Sequence, residues 1–133
     1  MQIKRNIYDK LVQITRRNKP NEACAFLFDK NTIVIEGYTP DRSPAHFGII
    51  DAEYVQALID KYGYPTALFH SHPGGNRPSG RDEQFMEATM KIWKCPWLIM
   101  SSSMDLKAYF MCPMDTYDFG RLVYRQEEVE IVG

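Results

Sequence analysis

Residues 69–82 have the sequence FHSHPGGNRPSGRD and contain two of the three histidines in the chain. The apolar run at residues 66–69, directly before His70, is typical of a β-strand. Because successive side chains of a strand point to opposite faces, His70 and His72 should project from the same face, with their Cα atoms about 7 Å apart. Two neutral imidazoles that converge in this way suit Zn²⁺, which at catalytic sites keeps three protein ligands and one open position.

A third ligand for such a metal ion is available at Asp82. It is the first carboxylate after the histidine pair, and the glycines and prolines in between predict a loop that can fold back toward the strand. Ser79 and Asp82 also have another interpretation, because a serine followed three residues later by an acid, ahead of an amphipathic run, is a helix capping box. Asp82 can be a metal ligand and also part of a capping box, so these two interpretations are compatible. Histidines that simply form hydrogen bonds at a surface are the alternative to the metal site.

The motifs His-x-His-Pro at residues 70–73 and Ser-x-x-Asp at residues 79–82 together resemble the signature of the JAMM (MPN+) zinc metalloprotease family. In that family a glutamate lies upstream of both motifs, and the resemblance assigns this place to Glu22, which heads an apolar strand. The family usually has seven residues between the second histidine and the serine, whereas this chain has six. We expect the pair Gly74-Gly75 to absorb the difference, because glycine adopts backbone conformations that other residues avoid.

The resemblance implies a mechanism as well as a set of ligands. A zinc ion held by His70, His72 and Asp82 would activate a water molecule. Glu22 would take a proton from that water and later pass one to the leaving amine, and Ser79 would donate a hydrogen bond to the oxyanion. Glu22 and Ser79 are then the catalytic residues, and Zn²⁺ is the cofactor.

Two classes of function remain open at this stage. The first is an amide or isopeptide hydrolase, similar to family members that cut after the C-terminal tail of a ubiquitin-like or sulfur-carrier protein; phage tail-assembly and cell-wall peptidases carry the same motif. The second is a non-catalytic MPN-type scaffold, although such relatives usually lack the ligands present here. Because Gly74 and Gly75 add little bulk beside the metal ligands, the expected partner is a protein or peptide with an extended, Gly-Gly-type tail.

Other hydrolase classes can be compared through their motifs. The chain has neither His-Glu-x-x-His nor a His-x-Glu motif with Pro-Cys-x-x-Cys, which argues against thermolysin-type enzymes and nucleoside deaminases. A nucleophilic hydrolase would have to use Ser71 or Cys24. Ser71 should face away from the histidines, and Cys24 lies in an apolar run where a thiolate is disfavoured.

Length and composition narrow the class of protein further. The 133 residues are enough for a single domain, here residues 1–133, with a buried core. A net charge of −1 without a basic stripe argues against nucleic acid as a partner. No stretch approaches the ~20 apolar residues of a membrane span, and the N-terminus lacks the apolar core of a secretory signal, so we expect a cytoplasmic protein with no membrane partner. Three cysteines without a Cys-x-x-Cys motif are expected to be reduced core thiols: Cys24, Cys95 and Cys112.

The spacing of apolar residues predicts a mixed α/β fold, in which helices pack on a central mixed β-sheet. The resemblance implies that this is the JAB/MPN, cytidine-deaminase-like, architecture. An apolar residue at every third or fourth position from Ile3 to Ile14 predicts a first helix, ending before Pro20. His46 is expected to be structural or exposed to solvent rather than a ligand. The further elements predicted are strands at 23–28 and 32–38 joined by a turn at 29–31, a short strand at 45–50, a helix between Asp51 and Gly63, a helix after Ser79, strands at 96–101 and 106–111, and an edge strand within 121–132.

Overall fold

The fold is seen in a computed structural model, which describes residues 1–37, 42–43, 46–47, 52–111, 117–118, 121–122 and 124–133. Several predicted features lie outside these residues, among them Asp51 at the start of the second predicted helix, the thiol of Cys112 and most of the short strand at residues 45–50. Of this strand only His46 and Phe47 are described, and only by their backbone.

The described part of the chain contains both strands and helices. The strands are β1 (Gln2–Lys4), β2 (Cys24–Phe28), β3 (Ile33–Glu36), β4 (Arg42–Ser43), β5 (His46–Phe47), β6 (Ala67–Ser71), β7 (Trp97–Met100), β8 (Leu106–Met111), β9 (Tyr117–Asp118), β10 (Arg121–Leu122), β11 (Tyr124–Glu128) and β12 (Glu130–Val132). The helices are α1 (Arg5–Asn18), α2 (Ala52–Tyr62) and α3 (Gly80–Trp93). Among the residues described, no helix has the length and apolar character that a membrane span requires.

Six of these strands form one mixed sheet, in the order β11-β8-β7-β6-β2-β3. β2 and β3 are a hairpin, and the three residues of its turn, 29–31, have positive φ angles of 51°, 56° and 63°. β6 and β7 are parallel because α3 carries the chain back between them, whereas the other neighbours are antiparallel. β6 therefore lies inside the sheet, and the chain that leaves its end stays close to both β2 and β7.

Helices cover both faces of this sheet. On one face, Leu11 of α1 belongs to the same buried cluster as Leu27 of β2. On the other face, Met86 of α3 belongs to the same buried cluster as Phe26 and Phe28 of β2. Neighbouring residues of β2 thus point into opposite clusters, and full burial of each large side chain contributes about 1.5–3 kcal/mol. The predicted mixed α/β fold, a mixed sheet flanked by helices, is confirmed.

The prediction for the first helix is wrong at its start. Ile3 lies in β1, where it pairs with Ile131 of β12, and the helix begins at Arg5, after the extended backbone of Lys4. Ile3 is buried all the same. A strand buries an apolar residue as well as a helix does, so the spacing alone could not distinguish them. The edge strand expected in the tail is observed as β11.

Candidate metal centre

The two histidines lie at the end of the central strand β6. His70 is the penultimate residue of this strand and is fully buried. His72 is the first residue after the strand, and its backbone N–H still donates to the carbonyl of Met100 on β7, at 2.8 Å. Their rings point to the same side, with centroids 4.6 Å apart. Ser71 points away, because its Oγ accepts a hydrogen bond from the N–H of Ala23 at 2.8 Å. The alternation predicted from the sequence brings the imidazoles together.

Asp82 reaches the same point from the first turn of α3. Ser79 is the N-cap of this helix: its Oγ accepts from the N–H of Asp82 at 3.1 Å, and the N–H of Ser79 donates to Asp82 Oδ2 at 2.8 Å. The capping box is therefore present. It also aims the carboxylate, since Asp82 Oδ2 lies 2.8 Å from His72 Nε2 and Oδ1 lies 3.6 Å from His70 Nε2.

These three side chains fit a metal ion. One ligand atom from each of His70, His72 and Asp82 lies within 4.8 Å of the other two. Two imidazole nitrogens and a carboxylate oxygen are donors that zinc accepts, and two donors about 2.0–2.1 Å from a tetrahedral ion lie roughly 3.4 Å apart. The separations of 2.8 and 3.6 Å in the cluster bracket this value. The cluster is also largely shielded from water, because the side chains are 0, 11 and 7 % exposed.

A backbone contact orients the ring of His72. Its Nδ1 lies 3.0 Å from the carbonyl oxygen of Gly75, so that Nδ1 carries a proton and donates it. This arrangement directs Nε2 toward Asp82 and the cluster. Metal-binding histidines commonly use a backbone carbonyl in this way, because the second nitrogen then has the correct orientation and basicity.

The charges of the cluster stabilise one another. Burial alone would raise the pKa of Asp82, but the hydrogen bond with His72, the attraction of His70 and the N–H of Ser79 outweigh it and lower the pKa. For His72, burial acts to lower the pKa, but the hydrogen bond with Asp82 and the negative charges of Asp82 and Glu22 outweigh it and raise the pKa. Asp82 is thus held as a carboxylate, the form that binds a metal ion.

Glu22 approaches the cluster from a different strand. It precedes β2 by two residues, is 8 % exposed, and places Oε2 at 3.8 Å from His70 Nδ1. The pairing of β2 with β6 explains this position, because Cys24 lies opposite His70 and the carbonyl of Ala23 accepts from the N–H of Ser71. The residue that the family resemblance selected is therefore next to the histidine pair.

An open cleft of about 360 Å³ gives access to the site. Glu22, His72 and Ser79 all line it, so the predicted catalytic residues and one predicted ligand share one space. The remaining lining residues are Pro73, Gly74, Gly75 and Arg77. Arg77 was not singled out in the sequence, because a lone arginine in a loop belongs to no motif.

The backbone conformation of the loop between His72 and Ser79 differs from the prediction. Asp82 does reach the histidines, but the positive φ angles found at Gly63 and Gly133 are not found at Gly74 or Gly75. The expectation that glycine's special conformations absorb the missing residue is wrong. Main-chain contacts hold the loop instead, since the carbonyl of Gly74 accepts from the N–H of Ser102 at 2.9 Å and that of Gly75 accepts from His72.

The other candidate residues of the sequence are the cysteines and His46. Cys24 and Cys95 are buried free thiols, and burial raises the pKa of each to about 12. A thiolate nucleophile at either position is therefore disfavoured. The backbone of His46 lies in β5, and its side chain falls outside the part of the chain that the structure describes.

The capping role of Ser79 leads to a prediction about stability. Ser79→Ala removes the acceptor for the N–H of Asp82 and should lower the free energy of unfolding by about 1 kcal/mol. Asparagine caps helices as well as serine does, so Ser79→Asn should recover most of the loss. Urea denaturation of the metal-free proteins measures both changes. Equal stability of Ser79→Ala and the unmodified protein would contradict the cap.

The fold and the side-chain cluster together define the class of protein. The chain matches the family of prokaryotic homologues of the JAB domain over residues 4–112 and belongs to this family. It is a JAB-domain protein in which His70, His72 and Asp82 could bind a metal ion. Among curated proteins, none matches the chain significantly.

Solved structures share this fold over nearly the whole chain. The solution structure of protein DSY2949 from Desulfitobacterium hafniense has 22 % identity and a TM-score of 0.70, with 98 % of this chain and 92 % of that chain covered. A structure described as "JAMM: A Metalloprotease-like Zinc Site in the Proteasome and Signalosome" has 16 % identity and a TM-score of 0.57, covering 100 % and 98 %. The JAB1/MPN domain protein AF2198 from Archaeoglobus fulgidus has 19 % identity and a TM-score of 0.54, covering 100 % of both. The predicted family and JAB/MPN architecture are confirmed.

Proposed function

We propose that this protein is a zinc-dependent peptidase that hydrolyses an amide bond after the extended C-terminal tail of a ubiquitin-like or sulfur-carrier protein. One observation carries the proposal: a His-His-Asp cluster able to hold a metal ion opens onto a cleft that Glu22 and Ser79 also line. A non-catalytic scaffold would need, at most, the three metal-binding side chains. It would not require an acid and a hydroxyl in the same cleft.

His70, His72 and Asp82 would hold the zinc ion. When bound, zinc supplies a Lewis acid that polarises a carbonyl group and makes water more acidic. The chain contributes the orientation of the ligands: the carbonyl of Gly75 turns the ring of His72, and the N–H of Ser79 holds Asp82 Oδ2. Such supporting contacts usually affect metal affinity by 10–100-fold.

Glu22 is the general base and acid of the proposed reaction. It lines the cleft while remaining 8 % exposed, and its Oε2 lies 3.8 Å from His70 Nδ1. From this position the carboxylate accepts a proton from the attacking water and delivers it to the amine of the leaving residue. Proton transfer by a positioned side chain contributes typically 10²–10⁴-fold to the rate.

Ser79 stabilises the oxyanion in this mechanism. Its Oγ already accepts the N–H of Asp82, and a hydroxyl group that accepts one hydrogen bond still has its own proton to donate. Removal of a single donor of this kind costs about 2.7–4 kcal/mol in other hydrolases. The cap therefore positions the hydroxyl at the edge of the cleft without consuming its donor.

An extended chain has room beside the ligands, on the side of the glycine pair. A Cβ atom added to Gly74 or Gly75 would meet nothing within 4 Å, so the wall of the cleft at this point is free of side chains. β3, the last strand of the sheet, lies next to the strand that Glu22 precedes, and an extended peptide binds a sheet edge through main-chain hydrogen bonds. We therefore propose that the partner is a protein or a peptide. We also propose that the protein acts in the cytoplasm and has neither a nucleic acid nor a membrane as a partner.

The test of the proposal is metal analysis combined with a peptide panel. The purified protein should contain about one equivalent of zinc, and removal of zinc by a chelator should abolish cleavage until zinc is restored. Peptides that differ in the two residues before the cut should be cleaved faster with Gly-Gly than with Leu or Phe. Faster cleavage of Leu or Phe, or of cell-wall peptides alone, would favour a cell-wall or phage tail peptidase. Zinc binding without any cleavage would favour the scaffold.

A further inference from the structure

The carbonyl of Gly75 lies in a loop that packing does not hold. This carbonyl accepts the proton of His72 Nδ1 and so sets the direction of Nε2. Residues 73–80, which contain it, are all exposed or half-buried. A segment without buried side chains has little packing energy to fix its backbone, and the pair Gly74-Gly75 adds conformational freedom. Hydrogen bonds must therefore keep the Gly75 carbonyl in place.

Asn76 is the residue at which this loop is attached to strand β8. Its carbonyl accepts a hydrogen bond from the hydroxyl of Tyr109 at 2.5 Å, and its side-chain Nδ2 donates to Asp105 Oδ2 at 2.9 Å. Tyr109 lies in β8 and Asp105 directly precedes it, 33 and 29 residues from Asn76 in the sequence. The oxygen that His72 uses belongs to the peptide group that joins Gly75 to Asn76. Anchoring of Asn76 therefore positions this peptide group.

Tyr109 is the more rigid of the two anchors. It is 2 % exposed, belongs to the same buried cluster as Trp97 and Met86, and meets the ring of Tyr124 edge to face, with centroids 5.6 Å apart. Because protein interiors are close-packed, the ring has little room to move. Burial raises the pKa of Tyr109, so its hydroxyl keeps its proton at neutral pH and remains a donor. Asp105 is exposed, and water competes there for the same hydrogen bond.

We propose that Tyr109 is a positioning residue of the metal centre. Its hydroxyl, assisted by Asp105, fixes Asn76. The Gly75 carbonyl is placed as a result, and it turns His72 Nε2 toward the metal position. This inference rests on the metal site of the proposed function, but not on peptidase activity or on the substrate. Supporting contacts usually affect metal affinity by 10–100-fold, and Tyr109 acts through one intervening peptide group, so we expect about tenfold.

Tyr109→Phe tests the proposal, because it keeps the buried ring and removes only the hydroxyl. Its zinc affinity, measured against a competing chelator, should be about tenfold weaker than that of the unmodified protein. Tyr54→Phe is the matched control: the hydroxyl of Tyr54 also donates to a backbone carbonyl, that of Glu36 in β3, at 3.0 Å. This variant should bind zinc like the unmodified protein. Unchanged affinity in Tyr109→Phe, or an equal loss in Tyr54→Phe, would overturn the proposal.

Two substitutions at Asp105 test the same anchoring from the surface, where the fold is not at risk. Asp105→Ala removes the acceptor for the side chain of Asn76 and should weaken zinc binding, by less than Tyr109→Phe does. Asp105→Asn keeps an oxygen acceptor and loses the charge, so it should bind zinc more tightly than Asp105→Ala. Should Tyr109→Phe fail to fold, this pair decides. Equal losses in both variants, or no loss in Asp105→Ala, would overturn the anchoring of Asn76.

NMR relaxation shows whether the effect of Tyr109 passes through the loop. In the metal-free, ¹⁵N-labelled protein, the backbone amides of Gly75 and Asn76 should become more mobile in Tyr109→Phe and stay rigid in Tyr54→Phe. If Tyr109 served only the stability of the core, these amides would be as rigid in Tyr109→Phe as in the unmodified protein, and that result would overturn the proposal.

These measurements also separate the inference from the proposed function, because neither zinc affinity nor relaxation requires a substrate. Loss of zinc affinity and a mobile loop in Tyr109→Phe, in a protein that cleaves no peptide, would support the positioning role and reject only the peptidase. Peptide cleavage by a protein whose zinc affinity does not change in Tyr109→Phe would support the peptidase and overturn the positioning role.

Discussion

Glu22→Gln is expected to lose nearly all peptide hydrolysis while the protein keeps its zinc. The amide is nearly the same size as the carboxylate and fits the same buried position, but it cannot accept a proton from water. Loss of general acid–base catalysis should reduce kcat by at least about 10²-fold, and by as much as 10⁴-fold. Zinc content should stay at about one equivalent, because His70, His72 and Asp82 are unchanged. Steady-state kinetics and elemental analysis of the same preparation measure both quantities.

A matched control distinguishes this effect from a general loss of negative charge. Glu130 lies in β12, is exposed, and is not among the residues that line the cleft, so Glu130→Gln should retain full activity. Loss of zinc from Glu22→Gln would instead make Glu22 a ligand and change the assignment of roles. Unaltered hydrolysis would mean that another group acts as the base.

His72→Ala is expected to weaken zinc binding by more than about 100-fold. Removal of a supporting residue alone usually costs 10–100-fold, and loss of one of three direct ligands should cost more. His72 is the suitable histidine for this test, because its side chain is 11 % exposed whereas that of His70 is 0 % exposed. Removing His72 should therefore disturb the core less than removing His70. Titration against a competing chelator gives the affinity, and thermal denaturation of the metal-free protein checks the fold.

His46→Ala provides the comparison with the third histidine of the chain. His46 is expected to be structural or exposed to solvent rather than a ligand, so this variant should bind zinc like the unmodified protein. Equal zinc affinity in His72→Ala and the unmodified protein would show that the cluster is not the metal site. A large loss in His46→Ala would show that the ligand set is incomplete.

Several features of this protein follow from local sequence alone. His70 and His72 share a face because a strand has a period of two residues, and Ser79 caps α3 because its side chain bonds a backbone N–H only three residues away. The turn at residues 29–31 and the end of α2 at Gly63 are local in the same sense. Each depends on residues close together in the chain, so sequence spacing is sufficient to predict it.

Other features depend on contacts between distant segments, and only the tertiary structure determines them. Ile3 belongs to a strand because Ile131, at the other end of the chain, pairs with it. The loop after His72 is positioned by Ser102 and Tyr109 rather than by the conformational freedom of its glycines. Arg77 is among the residues that line the cleft for the same reason. The pairing of β2 with β6 brings Glu22 to His70, and for this residue the sequence offered a family resemblance but no physical signal, because an acid at the start of a strand is usually solvated.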